Sequence, residues 1–271
     1  MRSPEPTPGG GSRPDRGAGG RLYGVYAHAV FWGTALIVWL TTLVLPWPGA
    51  RWRLMRRAIR LMAAVTGVRV HVRGLEHLPA PEQPCVLVAN HASYLDNPLL
   101  ILALPRNFGF VAKAELRANP VVHVFLRRIG TEFIERRNPR AAAKDLETLS
   151  ARSRQGRTLL FFPEGTIRRD PGLLPFRLGA FLTAAGEGIP VVPVALDGSR
   201  TLLTDGSWWP RRGDVTVTIG RALHPRDFDA GGTRDRRETA QALRDAARAF
   251  VLQHCGEGAA ATPGQSAAGP P

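Results

Sequence analysis

CVLVANHASYLDNP (residues 85–98) is the stretch on which the reading of this chain turns. Its first five residues, Cys85 to Ala89, are apolar without alternation, as in a strand buried on both faces of a sheet. The run ends at Asn90-His91, and Asn97-Pro98 offers a helix start, because proline suits the first helical turn. A buried strand that hands a polar cluster to a following helix places that cluster at the carboxyl edge of the sheet, where α/β proteins keep their crevices. His91 and Asp96 lie five positions apart. At 3.6 residues per turn, a straight helix would point them about 140° apart, so they meet only if the chain turns between them. If they meet, the carboxylate fixes one tautomer of the imidazole and leaves the second nitrogen basic enough to take a proton from an alcohol. A histidine bonded within a turn, or one capping the helix, fits the spacing equally well. The chain carries its own control: His224 and Asp229 repeat the five-residue spacing after a strand segment, but with a proline beside the histidine and no companion motif. His224 is therefore read as a solvated loop histidine.

Outward from this stretch, strand and helix signals alternate. Val68, Val70 and Val72 alternate with Arg69, His71 and Arg73, the pattern of a half-exposed strand. FGFVA (108–112), TLLFF (158–162) and VVPVAL (191–196) read as buried strands, TEFIE (131–135) as a further strand, and TVTI (216–219) as an edge strand. Helical stretches fall near 98–104, 115–128, 139–154, 176–186 and 235–253, the third opening on Asn138-Pro139. This alternation predicts an α/β fold, a single mixed sheet flanked by helices, over residues 66–255. Residues 1–20 and 256–271 are rich in glycine and proline with little to bury, and are expected to be disordered tails.

Residues 21–65 differ in kind. No Asp, Glu, Lys or Arg lies between Arg21 and Arg51, and the apolar run meets the roughly 20 residues needed to cross a bilayer. A span and a helix lying in one leaflet, turned back at Pro46-Trp47-Pro48, both fit. In the following segment Trp52, Met55, Ile59 and Met62 share one helical face with arginines around the rest, the pattern of a helix resting on an anionic membrane surface. The arginines from Arg51 to Arg60 outnumber those before the apolar run, so the domain that follows is expected on the cytoplasmic side of the cell (inner) membrane.

Charge by itself says less than position. The net formal charge is +14, which favours an acidic partner, yet only Lys113 and Lys144 are lysines among the 36 basic residues. So uniform a use of arginine looks like a codon habit of the genome. Cys85 and Cys255 form no CxxC pair and no zinc-ligand spacing. There is no GxSxG elbow either, so a serine acyl-enzyme is not expected.

The companions of His91 decide between the alternatives. Phe162-Pro163-Glu164-Gly165-Thr166 follows the strand TLLFF, Arg136 follows TEFIE, and Pro193 stands inside VVPVAL. NHxxxxD, GTEFIER, FPEGT and VVPV, in that order over about Val86 to Leu196, resemble the glycerolipid acyltransferase family. The resemblance implies that His91 and Asp96 are the catalytic dyad and that Arg136, Glu164 and Gly165 bind the phosphate and glycerol of the acceptor. A guanidinium suits a phosphate because its donors are forked, whereas Glu164 would serve glycerol hydroxyls or hold Arg136. The family's Lys-x-Glu-Leu stretch corresponds to Lys113-Ala-Glu115-Leu116, so Lys113 is a candidate for the oxyanion; a solvated lysine at a strand end fits it as well.

The implied reaction moves a fatty acyl group from acyl-CoA or acyl-carrier protein to the hydroxyl of a lysophospholipid, with no cofactor and no metal. The implied partners are a membrane lipid acceptor, the acyl donor and an anionic membrane surface, with no nucleic acid. Three departures cluster where the acceptor would be read: Glu135 where Asp is common, Ile167-Arg168-Arg169 after Thr166, and Arg177 where lysine is common. Other lysolipid acceptors, such as a lyso-ornithine lipid, fit as alternatives. A non-catalytic basic membrane-binding protein would account for the arginines, but not for NHxxxxD and FPEGT at the ends of two buried strands.

Overall fold

A computed structural model of the protein describes residues 18–135, 138–203, 209–229 and 235–260. One seven-stranded sheet organises the chain, in the order β1 (Val68–Arg73), β7 (Gly213–Ile219), β6 (Val191–Asp197), β2 (Val86–Ala89), β5 (Leu159–Phe161), β3 (Gly109–Lys113) and β4 (Glu132–Ile134). The strands β6, β2, β5, β3 and β4 run parallel, whereas β7 pairs antiparallel with β6 and carries β1 with it. The sheet is thus mixed, as expected. β2 and β5 are buried at every position, which is why their sequences are apolar without alternation. β1 alternates half-buried and exposed residues because it is an edge. β7 is not the edge strand its short apolar stretch suggested: β1 lies outside it, and Val215, Val217 and Ile219 are buried. The pairing that covers β7 joins residues some 145 positions apart, beyond the reach of any local pattern.

Helices cover both faces. On one, α5 (Pro139–Arg154), α6 (Gly179–Glu187) and α9 (Arg236–His254) pack over Val86, Val88, Leu159 and Val191. On the other, α2 (Pro48–Thr66) and α3 (Asp96–Ala103) pack over Leu87, Ala89, Leu160 and Val192, with α1 (Ala18–Val44) laid outside α2. The apolar stripe of α2 therefore has a different use from the one expected. Trp52, Met55 and Ile59 are buried in this core, with Trp52 set against Phe108 at 5.0 Å between ring centroids. A helix beside a sheet with an uncovered apolar face gains by docking there before any membrane is involved. The exposed face of α2 keeps Arg53, Arg57 and Arg60.

Three boundaries are also corrected. The helical signal of 115–128 divides into a short 3-10 turn, Ala114–Ala118, and α4 (Pro120–Arg128). Pro120 disfavours helical backbone at Asn119, whose side chain instead caps the N–H groups of Val121 and Val122. Residues 18–20 belong to α1 rather than to a tail. Residues 256–260 pack back on the domain: Leu173 donates to the Gly258 carbonyl at 2.8 Å, Ala260 donates to Leu173, and Glu257 pairs with Arg200. A tail poor in apolar side chains is held here by backbone bonds and one ion pair, which composition does not show.

Candidate active site

The parallel strands deliver their carboxyl ends to one edge, and β2 ends there in Asn90-His91. Asn90 is buried and exchanges two hydrogen bonds with Leu196 of β6, Nδ2 donating to the carbonyl at 2.9 Å and Oδ1 accepting from the N–H at 2.8 Å. A side-chain amide thereby continues the backbone ladder past the last residue of β2 and fixes where His91 leaves the sheet. The chain then turns, with the Asp96 N–H donating to the Ser93 carbonyl, and Ser93 Oγ ties the turn to the Leu203 carbonyl at 2.8 Å.

This turn closes the five-residue gap. Asp96 Oδ2 accepts from His91 Nδ1 at 2.9 Å and from the N–H groups of Ala92 and Ser93 at 2.8 Å each. An oxygen that already takes two N–H bonds acts as an acceptor, so Nδ1 carries a hydrogen and, in the neutral ring, Nε2 is the nitrogen with the lone pair. Asp96 is wholly buried, at 0% exposure, while His91 retains 16% of its side-chain surface. The imidazole also lies flat on Phe162, with centroids 3.9 Å apart and planes at 15°. Held by a carboxylate on one nitrogen and a ring on one face, it has little freedom to rotate.

Glu164 arrives from β5, the neighbour of β2. Phe162 to Gly165 form a tight turn closed by the Gly165 N–H on the Phe162 carbonyl at 3.0 Å, with Pro163 second, where its fixed φ fits. Gly165 has φ of +80°, which a side chain would strain. The turn aims Glu164 at the dyad loop, where Oε1 accepts from the His91 N–H at 2.7 Å and Oε2 from the Leu174 N–H at 2.8 Å. Both oxygens are thus engaged by backbone, so Glu164 positions His91. Burial pushes its carboxyl from 4.5 up to about 7; the bonds from Leu174 and His91 oppose this, and the charges of Glu257 and Asp96 add to it.

His91 and Gly165 line an apolar cavity of about 600 Å³. Its walls include Phe31 and Val38 of α1, Met55 of α2, Phe110 of β3 and Phe125 of α4. Lys113, exposed at the end of β3, lines it too, so His91, Gly165 and Lys113 are brought to one space. Arg136 lies outside the described residues, although the chain leaves β4 at this same edge, three strands from β2, or about 14 Å at the usual strand spacing. Phe162 and Asn90 stood inside quoted motifs without a role; their packing and pairing depend on neighbouring strands. The α1 residues of the cavity wall bore no sequence signal beyond hydrophobicity.

His224 is elsewhere. Because β7 runs antiparallel to β6, the chain leaving it reaches the opposite edge, where Leu223 bridges to Val191 at the start of β6. His224 there precedes the one-turn helix α8 (Pro225–Phe228), half-buried and a full sheet depth from His91.

A dyad at the carboxyl edge of a mixed sheet, opening on an apolar cavity, defines a class that sequence comparison recovers independently. Residues 69–197 match the family model described as Acyltransferase, and the chain belongs to the acyltransferase family. Among its relatives, the 1-acyl-sn-glycerol-3-phosphate acyltransferase of Pseudomonas aeruginosa is 31% identical over 210 residues, covering 73% of this chain and 77% of that protein. The chloroplastic 1-acyl-sn-glycerol-3-phosphate acyltransferase of Brassica napus is 36% identical over 157 residues, covering 58% of this chain and 45% of that protein. The chain spans about half the length of the Brassica napus, Arabidopsis thaliana and Chlamydomonas reinhardtii relatives it matches. In shape it is similar to the 1-acyl-sn-glycerophosphate acyltransferase of Thermotoga maritima, with a TM-score of 0.64 and 25% identity, covering 86% of this chain and 94% of that one.

Proposed function

We propose that the protein transfers a fatty acyl group from a thioester, acyl-CoA or acyl-carrier protein, to the free hydroxyl of 1-acyl-sn-glycerol-3-phosphate, giving phosphatidic acid. The observation that carries this reading is His91 held by Asp96 at 2.9 Å, at the wall of an apolar cavity of about 600 Å³. In the first step Nε2 takes the hydroxyl proton as the oxygen attacks the thioester carbonyl carbon, and Asp96 stabilises the imidazolium that forms. The tetrahedral oxyanion is met by Lys113 or by backbone N–H groups. It then collapses, the C–S bond breaks, and the thiolate leaves with the proton returned from Nε2. No covalent enzyme intermediate is required. Cys85, the cysteine nearest the dyad in sequence, is wholly buried, and burial pushes its thiol above the ordinary range, the opposite of an activated nucleophile.

Arg136 is assigned to the acceptor phosphate. Glu164 and Gly165 serve the acceptor by holding the loop against which its glycerol lies. The membrane supplies that acceptor. The helix Gly19–Val44 is long and apolar enough to cross a bilayer, and little of it is buried against the domain. Yet α1 is fastened to the rest of the chain at both ends. Tyr23 and Tyr26 donate to carbonyls at the end of α2, Trp39 donates to Val121 of α4, and Arg128 donates to the carbonyls of Thr42 and Leu43. Such a helix lies in one leaflet with the domain beneath it, on the cytoplasmic side of the cell membrane, and Arg53, Arg57 and Arg60 add attraction to anionic lipid. Acylation assays of purified protein against a panel of lysolipids and both donor types test the reading. Phosphatidic acid formation that disappears in His91→Ala is the expected result; equal turnover of an acceptor without phosphate would overturn the acceptor assignment.

A further inference from the structure

A second apolar cavity, of about 480 Å³, lies under the first half of α1. It shares Phe31, Ile59, Met62, Tyr94 and Pro98 with the cavity at His91, and the two extend in opposite directions from these residues. Along α1 the first cavity is lined by residues from Phe31 to Val38 and the second by residues from Tyr23 to Trp32. At a rise of 1.5 Å per residue, their midpoints are about 10 Å apart and the second runs for about 14 Å. The first ends between the sheet and α4, at Phe110, Phe125 and Ile129. The second passes Ala27, Ala63 and Leu99 and reaches Leu202 and Leu203. Its volume falls within the range of small-molecule sites, roughly 300–1,000 Å³.

We infer that the second cavity binds the acyl chain already carried by the acceptor, while the cavity at His91 receives the chain being transferred. This rests on the acyl-transfer reading above. The assignment of arms follows from bond connectivity. The carbonyl carbon attacked at His91 is itself the first carbon of the donor chain, so that chain must enter the cavity that His91 lines. The acceptor's existing ester sits one glycerol carbon from the reacting hydroxyl, so its chain starts one step away from His91. The second cavity meets that requirement: it touches Tyr94 and Leu95, inside the loop between His91 and Asp96, but not His91 itself. Its outer wall includes Trp32, which is 62% exposed on the apolar face of α1, so a chain can arrive sideways from a bilayer. The donor, by contrast, is delivered from water on a polar carrier.

Two measurements test the inference. Ala27 lines the second cavity and not the first, so Ala27→Phe should shorten one arm alone. KM for palmitoyl lysophosphatidate should rise at least about tenfold relative to the hexanoyl analogue, since buried methylenes are displaced, with donor chain preference unchanged. Leu102→Trp, also confined to the second cavity, should act alike. A folded variant with unaltered acceptor-chain discrimination, or with a shifted donor profile instead, would overturn the assignment. The second measurement needs no turnover: lysophosphatidate with a photoactivatable diazirine at its chain end, irradiated with the His91→Ala protein in phosphatidylglycerol vesicles. Labels in residues 23–32 or at Leu202 and Leu203 are expected, and labels at Phe125 to Ile129 would refute the site. Labelling of the second cavity by a protein inactive on every lysolipid would sink the reaction and leave the chain site standing. Normal turnover with labels elsewhere would do the reverse.

Discussion

Glu164 couples the dyad loop to pH, and its replacement by glutamine gives a defined stability signature. The carboxyl is buried, at 7% exposure, and is raised from 4.5 to about 7. The folded state therefore holds its proton to a higher pH than the unfolded chain does. Stability from this group is fully present below about pH 4.5, falls as the pH rises, and is lost once the pH passes about 7. At about 1.4 kcal/mol per pH unit, the loss across that window is on the order of 3 kcal/mol. Glu164→Gln abolishes the titration. It also turns an amide NH₂ toward one of the two N–H groups now bonded by Oε1 and Oε2, leaving a buried donor unsatisfied at a cost of about 1–3 kcal/mol at every pH. The deficit of the variant should thus shrink by on the order of 3 kcal/mol across this window, leaving it less stable than the wild type near pH 5 and at least as stable near pH 8. Urea unfolding of both proteins in the same detergent, followed by tryptophan fluorescence at several pH values, measures the gap. A gap that stays constant from pH 5 to 8 would show that Glu164 does not titrate in this window and would refute the reasoning.

Other expectations follow from the same geometry. Asp96→Asn, which disturbs the tautomer of His91, should lower kcat by on the order of 10⁴-fold in the folded protein, and His224→Ala should leave it near wild type; an essential His224 would relocate the site to the wrong sheet edge. Arg136→Ala should raise KM for lysophosphatidate strongly and spare KM for the donor, with Arg136→Lys recovering part of the loss; unchanged kinetics in both would mark a solvated surface charge. Leu36 and Leu40, exposed on one face of α1, should act as lipid contacts, so Leu36→Glu with Leu40→Glu should reduce flotation with liposomes severalfold. Undiminished flotation would put the lipid-facing surface elsewhere.

How much was legible beforehand depended on the range of the forces involved. Two-sided burial leaves its mark residue by residue, so CVLVA, TLLFF and VVPVAL announced central strands, and Asn138-Pro139 announced α5 through cap chemistry contained within four residues. The position of His91 after such a strand, with FPEGT after the next, singled out His91 and Asp96 as a pair, and the fold brings the two into contact. Local patterns could not say what lay beside an element. TVTI resembled an edge because nothing near it in the chain reveals that β1 pairs outside it. The stripe Trp52, Met55 and Ile59 fits a lipid surface and a protein core equally well, since burial rewards apolar area without regard to its partner; only the uncovered face of the sheet settled it. The backbone clasp on residues 256–260 could not be foreseen either, because backbone donors and acceptors are the same at every position. Glu164 shows the division most sharply. Its turn was plain in Pro163 and Gly165, yet its task, bonding the N–H groups of His91 and Leu174, exists only once β5 lies against β2. Composition thus determined which segments are buried and which residues can carry chemistry, and the tertiary structure decided their partners, because pairing across a sheet depends on surfaces that meet only after the chain has closed on itself.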